Sequence, residues 1–403
     1  MEFWVPGRIE FLGKHTDYAG GRSLLCLVER GVRMTAGARQ DDVVRVRDAR
    51  SNETVECRFD PELAPPRGHW ANYPFTVVRR LARDFPDARV GADLTFESDL
   101  PSAAGMSSSS ALVVAVYMAL AAVNELVERD DYRAAIETPE DLAEYLGCIE
   151  GGYQFRSFAG DEGVGTLSGC EDQTAMICGR EGELVRYSFC PVRFETRCPV
   201  PAGYVFAVAA CGVVAEKTSS ALEKYNALSR RARAVAQAWR DISGGSEQTL
   251  ADAIVRAGPT AVRDAVASAH VPGFAPAELL DRFDQFSIES EEIIPAATEA
   301  LQRGDLSALG DLVDRSQASA EQLLGNQIPE TVALARSARE LGAAAASAFG
   351  AGFGGSVWAL VPAADAGAFV DAWRARYLAR FPSHRDAARF LVTRAGRPSG
   401  RIA

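Results

Sequence analysis

Lysine is nearly missing from this chain of 403 residues. Only three of its 43 basic residues are lysine, at 14, 217 and 224; the rest are arginine. With four histidines, a metal centre built from imidazoles is not expected. No C-x-x-C pair occurs among the eight cysteines, at 26, 57, 148, 170, 178, 190, 198 and 211. That excludes a zinc ribbon and a dithiol redox motif, and the cysteines read as small reduced hydrophobes of a cytoplasmic protein. Long apolar runs are absent too: the longest, Ala111 to Val123, has 13 residues, against the ~20 that span a bilayer. The N-terminal Met-Glu-Phe-Trp-Val-Pro-Gly-Arg lacks the basic-then-apolar order of a secretory signal. Positive charge is outweighed, with 54 acidic residues and a net charge of −11. Nucleic acid and anionic membrane are therefore not expected partners, although a local positive pocket remains compatible.

What is present is ordinary globular material. A 47% hydrophobic and 24% charged composition can bury a sizeable core, and the length suggests two domains. Val43-Val44-Arg45-Val46-Arg47 alternates at period two, as a half-buried strand does, while 212–250 and 276–345 show helical spacing. No repeat or Gly/Ser linker occurs. The turn Cys198-Pro199-Val200-Pro201-Ala202-Gly203 is the best candidate boundary, so the expected domains are 1–199 and 200–403. Periodicity alone supports mixed α/β content.

Three glycine- or serine-dense segments stand out. In Leu100-Pro101-Ser102-Ala103-Ala104-Gly105-Met106-Ser107-Ser108-Ser109-Ser110-Ala111 a small-residue loop runs straight into an apolar helix. Such a loop lets a phosphate approach the backbone and the unpaired N–H groups of a helix start. A Ser cap on a buried helix would need one serine, not four. No Gly-Lys-Ser/Thr follows, and the glycine spacing is not that of a dinucleotide fingerprint. The first segment, Pro6 to Gly21, packs Arg8, Glu10, Lys14, His15, Asp17 and Tyr18 between glycines, a mixture suited to polyol recognition. The third, Phe349-Gly350-Ala351-Gly352-Phe353-Gly354-Gly355-Ser356, leads into the strand-like Val357 to Val361. By itself it fits either a flexible turn or close backbone approach to an anion.

Together and in this order, the segments resemble the three motifs of the GHMP kinase superfamily, most closely its galactokinases: G-R-x-N-x-I-G-E-H-T-D-Y, L-P-x-G-x-G-L-S-S-S-A and G-G-G-F-G-G. Trp70-Ala71-Asn72-Tyr73, Gly169-Cys170-Glu171-Asp172-Gln173 and Lys217 ahead of Tyr225 extend the resemblance along the chain. It implies an α+β, two-domain fold with the active site in the inter-domain cleft and a ferredoxin-like C-terminal half. The implied reaction is transfer of the γ-phosphoryl of ATP to the anomeric hydroxyl of a sugar, galactose by default. A catalytically silent sugar and ATP sensor is the alternative from another class, which the intact serine loop and Asp172 disfavour.

Position by position, the resemblance makes Asp172 and Arg8 catalytic. It assigns the sugar to Lys14, His15, Asp17, Gly169 and Tyr225. ATP falls to Trp70, Gly105, Ser107, Ser108, Ser109, Gly352 and Gly354, and Mg2+ to Ser108 or Ser109 with Glu150. A cytoplasmic monomer acting on small molecules is expected. Three departures bear on substrate. The family's glutamate is Lys14 here, its asparagine is Glu10, and Tyr153 to Ser168 looks expanded, which suggests a lid or altered pocket wall. A cation in place of an acceptor anion raises two expectations for Lys14: that it pairs with Glu10 or another nearby acid, or that it faces an anionic group on the sugar, with galacturonate a candidate.

Overall fold

The strand β1 (Glu2–Leu12) carries the organisation of the molecule. Its pairing with the next strand slips between Pro6 and Arg8. A β-carbon at Gly7 would stand 2.9 Å from the Met106 carbonyl oxygen, so only glycine lets that loop so close. Past the slip, Ile9 and Phe11 are fully buried in the core, while Arg8 and Glu10 point to a cavity, the two-residue alternation of a strand. The computed structural model describes residues 1–101, 105–213 and 220–403.

Among the described residues there are two sheets. The first contains β1, β2 (Arg22–Ala38), β3 (Val43–Asp48), β4 (Thr54–Arg58), β5 (Ala92–Ser98), β6 (Glu183–Ser188) and β7 (Arg193–Pro199). The second contains β8 (Tyr204–Ala210), β9 (Ala345–Phe349), β10 (Ser356–Pro362) and β11 (Arg389–Thr393), after which the short β12 (Gly400–Arg401) returns to pair with β1. The strands of the second sheet lie in the order β11-β8-β10-β9, all antiparallel. With helices Pro329–Glu340 and Ala366–Arg380, this is the ferredoxin-like arrangement the motifs implied, with a long helical insertion between β8 and β9. The fold is α+β, as expected. The last strand before the second sheet ends at Pro199 and β8 begins at Tyr204.

Both faces of the second sheet are covered. Phe206 and Trp358 face the first sheet, and Val205, Ala207, Val357 and Ala359 face the flanking helices. Phe11 of β1 stacks on Trp358 at 4.2 Å between ring centroids and meets Phe206 edge-on at 6.3 Å. One aromatic cluster thus fixes the two sheets against each other. Helix Ser108–Val123 is apolar along almost its whole surface and runs through the interior, the behaviour of a helix surrounded by core. Its N-terminus opens on the cavity. The insertion helices Ser220–Ser243, Leu250–Ser268 and Pro276–Ser287 form a satellite core that reaches Ala19 in the first segment, so this part of the C-terminal half braces the N-terminal motif.

Candidate active site

A cavity of about 510 Å³ lies where the three segments meet. At its centre the Arg8 guanidinium bonds Asp172: Nε reaches Oδ1 at 2.8 Å and Nη2 reaches the same oxygen at 2.7 Å. Arg8 Nη1 donates to the Gly105 carbonyl at 2.5 Å, so one side chain ties the Asp172 carboxylate to the serine-rich loop. Ser110 Oγ donates to Asp172 Oδ2 at 3.0 Å. Asp172 keeps 20% of its side chain exposed and Arg8 only 5%. The carboxylate is thus the partner an incoming hydroxyl can reach, and Arg8 the fixed charge behind it. Burial would lower the Arg8 pKa, but Asp172, Glu171 and Glu10 more than offset it and the net shift is upward.

The first segment supplies the next wall. Gly13, at φ +124°, and His15, at φ +58°, turn the chain so that His15 enters the cavity. His15 Nδ1 lies 2.8 Å from the Tyr18 hydroxyl and Nε2 3.0 Å from the Ala351 carbonyl. A carbonyl can only accept, so Nε2 carries the proton and Nδ1 accepts from Tyr18. Burial, reinforced by Arg282, pushes the His15 pKa down to about 3, and the ring is neutral. Asp17 Oδ2 accepts from the Glu171 backbone N–H at 3.2 Å, and burial raises its carboxyl to about 6. A β-carbon on Gly169 would fall 2.2 Å from Asp17 Oδ2, which explains glycine there. The Tyr225 ring stands 5.2 Å from His15, and burial raises its hydroxyl well above the usual tyrosine value.

Around the serine loop, Ser107 occupies the helix cap in a left-handed conformation and its hydroxyl makes no capping bond. The simple capping role weighed from the sequence is therefore not what these serines perform. Ser107, Ser108 and Ser109 line the cavity together with Gly105, Gly352 and Gly354. Trp70 also lines it, held by a 2.8 Å bond from Nε1 to Glu53 and packed on Phe96. Glu150 is buried and accepts from Gln173 Nε2 at 2.6 Å, and it lines the same cavity.

One expectation is corrected. Lys14 does not face the cavity. The residue is 1% exposed, and its ammonium donates to Ser316 Oγ at 2.9 Å; that hydroxyl donates to Glu289 Oε1 at 3.0 Å. The expected partner Glu10 is not the one it finds: Lys14 reaches an acid only through a serine, and that acid is Glu289, away from the cavity. Gly13 N–H also donates to Glu289 Oε1, at 2.9 Å, and Gln285 Nε2 to the Lys14 carbonyl at 3.1 Å; the assembly clamps the first segment to the insertion helices. The stretch 153–168 is tied to the helices beside it, and its last residue, Ser168, lines the cavity. Asp161 pairs with Arg79 at 3.1 Å, Asn72 Nδ2 donates to the Val164 carbonyl at 3.0 Å, and Asn226 joins Leu167 N–H and the Gly165 carbonyl at 2.8 and 3.1 Å.

Several participants had not been singled out. Ser110, the fourth serine of the run, carries no role from the resemblance, yet it bonds Asp172. Ser23, whose hydroxyl donates to Glu171 at 2.7 Å, carries no sequence signal because β2 brings it in. Asn226, beside Tyr225, could have been found by adjacency. Lys217 lies outside the described residues.

Comparisons with known proteins agree with this geometry. The family descriptions "GHMP kinases N terminal domain" and "GHMP kinases C terminal" match residues 72–180 and 297–379; fold and cleft together define the class as a GHMP kinase. The "Galactokinase galactose-binding signature" matches residues 3–38. The galactokinase of Chloroflexus aggregans is 30% identical over 384 residues, covering 93% of this chain and 87% of that one. The Actinobacillus pleuropneumoniae serotype 3 enzyme is 28% identical over 361 residues, covering 89% and 84%. The fold of Lactococcus lactis galactokinase, solved with galactose, superposes with a TM-score of 0.82 at 24% identity, covering 100% of this chain and 95% of that one. The chain belongs to the galactokinase family of sugar kinases.

Proposed function

We propose that this protein phosphorylates galactose at its anomeric hydroxyl, using ATP. The observation that carries the reading is the Arg8–Asp172 pair, an accessible carboxylate in the same cavity as the serine-lined helix start. Asp172, its second oxygen held by Ser110, orients the sugar hydroxyl and takes its proton as the hydroxyl oxygen attacks the γ-phosphorus. A new sugar-oxygen–phosphorus bond forms, the bond to the β–γ bridging oxygen breaks, and ADP departs with that electron pair. Arg8 stabilises charge as it develops, and phosphoryl transfer relies on such alignment more than on covalent chemistry. His15, Asp17, Gly169 and Tyr225 offer the closely spaced donors and acceptors that a neutral polyol needs. The helix start at Ser107–Ser109 and the loop at Gly352 and Gly354 receive the phosphates, with Trp70 beside the base.

The donor set suits Mg2+. No group of three or more His, Cys, Asp or Glu among the described residues could hold a metal alone, but one buried carboxylate, Glu150, and the hydroxyls of Ser108 and Ser109 share the cavity. One carboxylate plus substrate phosphates is how Mg2+ is commonly held, and there it would neutralise phosphate charge. Among the described residues no helix is long and apolar enough to cross a membrane. The eight unpaired cysteines accord with a reducing cytoplasm.

Galacturonate as substrate rested on Lys14, which points elsewhere, and is set aside. ADP release measured across galactose, its deoxy and amino analogues, galacturonate and arabinose tests the reading. Galactose should be turned over, and Asp172→Asn should lose ~10²–10⁴-fold of that activity while a melting curve shows it still folded, though less stable for the loss of the Arg8 ion pair. No galactose-dependent ADP release, or full activity in Asp172→Asn, would overturn it.

A further inference from the structure

Glu10 has no part in the reaction as described, yet it sits in the cavity with 4% of its surface exposed. Its Oε2 accepts the Gly350 N–H at 3.1 Å, and its Oε1 has no hydrogen-bond partner among the described residues. A buried, half-satisfied carboxylate is costly, and an apolar side chain would fill the space without that cost.

Its placement suggests why it is there. Arg8, two residues earlier on the same face of β1, donates to the Gly105 carbonyl. The two loops touch: a β-carbon on Gly350 would lie 3.0 Å from the Gly105 oxygen, and one on Gly105 would lie 3.1 Å from the Phe349 oxygen. One strand therefore presents a guanidinium to the carbonyl of the serine-loop glycine and a carboxyl oxygen to the N–H of the third-segment glycine. Together they hold both rims of the space assigned above to the triphosphate. The third segment has other anchors farther along, from His15 to Ala351 and from the Phe353 N–H to the Asn326 carbonyl at 2.6 Å. Glu10 fixes the end nearest Gly105.

We propose that Glu10 is a positioning residue for the nucleotide, holding the third-segment glycine loop against the serine loop and setting affinity for ATP rather than for sugar. This rests on the nucleotide placement proposed above.

The test is calorimetric titration of the full chain with ATP and Mg2+ in the absence of sugar, together with KM for both substrates. Glu10→Ala should weaken ATP binding about tenfold, the scale of a lost hydrogen bond to a charged group, while the sugar KM stays within about twofold. Glu10→Gln, whose amide oxygen still accepts from Gly350, should bring ATP affinity back to within about threefold of the native protein. Melting curves establish that the variants are folded; should the alanine variant not fold, Glu10→Asp, which shortens the reach, should weaken ATP in its place. ATP affinity unchanged in Glu10→Ala, equal losses for both substrates, or a glutamine variant as weak as alanine would each overturn the proposal. Native protein that binds ATP but phosphorylates no sugar would refute the function above while the binding titrations still decided the role of Glu10.

Discussion

Replacing Lys14 by methionine separates two accounts of this residue. The side chain keeps its length and flexibility but loses the ammonium, leaving Glu289, which is fully buried, without its counter-charge. Removing one member of a buried ion pair commonly costs ~3–5 kcal/mol. Here Ser316 stands between the charges, and Glu289 Oε1 keeps the Gly13 N–H and the Ser316 hydroxyl, so a loss of about 2–4 kcal/mol is expected. Urea unfolding followed by tryptophan fluorescence measures it. Adding Glu289→Gln should recover part of the loss, with a coupling energy of about 1 kcal/mol or more, because the orphaned charge is then gone. Sugar selectivity of the folded variant should match the native protein. Lys14→Glu, by contrast, would place a second carboxylate near Glu289 and lose more stability than methionine, making it a poor probe of specificity. A Lys14→Met protein within about 0.5 kcal/mol of native stability but with altered sugar preference would refute the structural account and restore the sugar-facing one.

Two further expectations concern stability. Phe11→Ala should cost ~3–5 kcal/mol in urea unfolding, because it empties the contact between the sheets at Trp358 and Phe206; a loss below about 1 kcal/mol would mean the aromatic cluster is not what joins them. Burial holds the Glu10 carboxyl up to about 7 and that of Asp17 up to about 6, from ordinary values of 4.5 and 3.8. The folded protein therefore binds these protons more tightly than the unfolded chain. The stability they contribute is complete below about pH 4 and is lost as pH rises through 6 to 7. Glu10→Gln removes one of the two, and its stability should gain on the native protein by up to ~3 kcal/mol between pH 4.5 and 8. Parallel pH–stability curves for the two proteins would contradict this.

The residue types and their spacing determined a good deal without coordinates. The serine run entering an apolar helix, the charged and glycine-punctuated first segment and the late glycine loop identified the superfamily, and every site residue inferred from them except Lys14 lines the one cavity. These features are local, and phosphate approach, helix starts and tight turns leave local signatures. Side-chain direction is not local. Gly13 and His15 have positive φ, and across such a turn neighbouring side chains can leave the backbone on opposite sides; the sequence does not say which enters the cavity. Lys14 is settled by Ser316 and Glu289, and His15 by Ala351, partners far along the chain. The same holds for Ser23, brought to Glu171 by β2, and for the 153–168 stretch, whose anchors Arg79 and Asn226 come from two different helices. Local chemistry set the vocabulary of the site, and only long-range packing, which decides where each buried charge finds its partner, assigned each residue its direction.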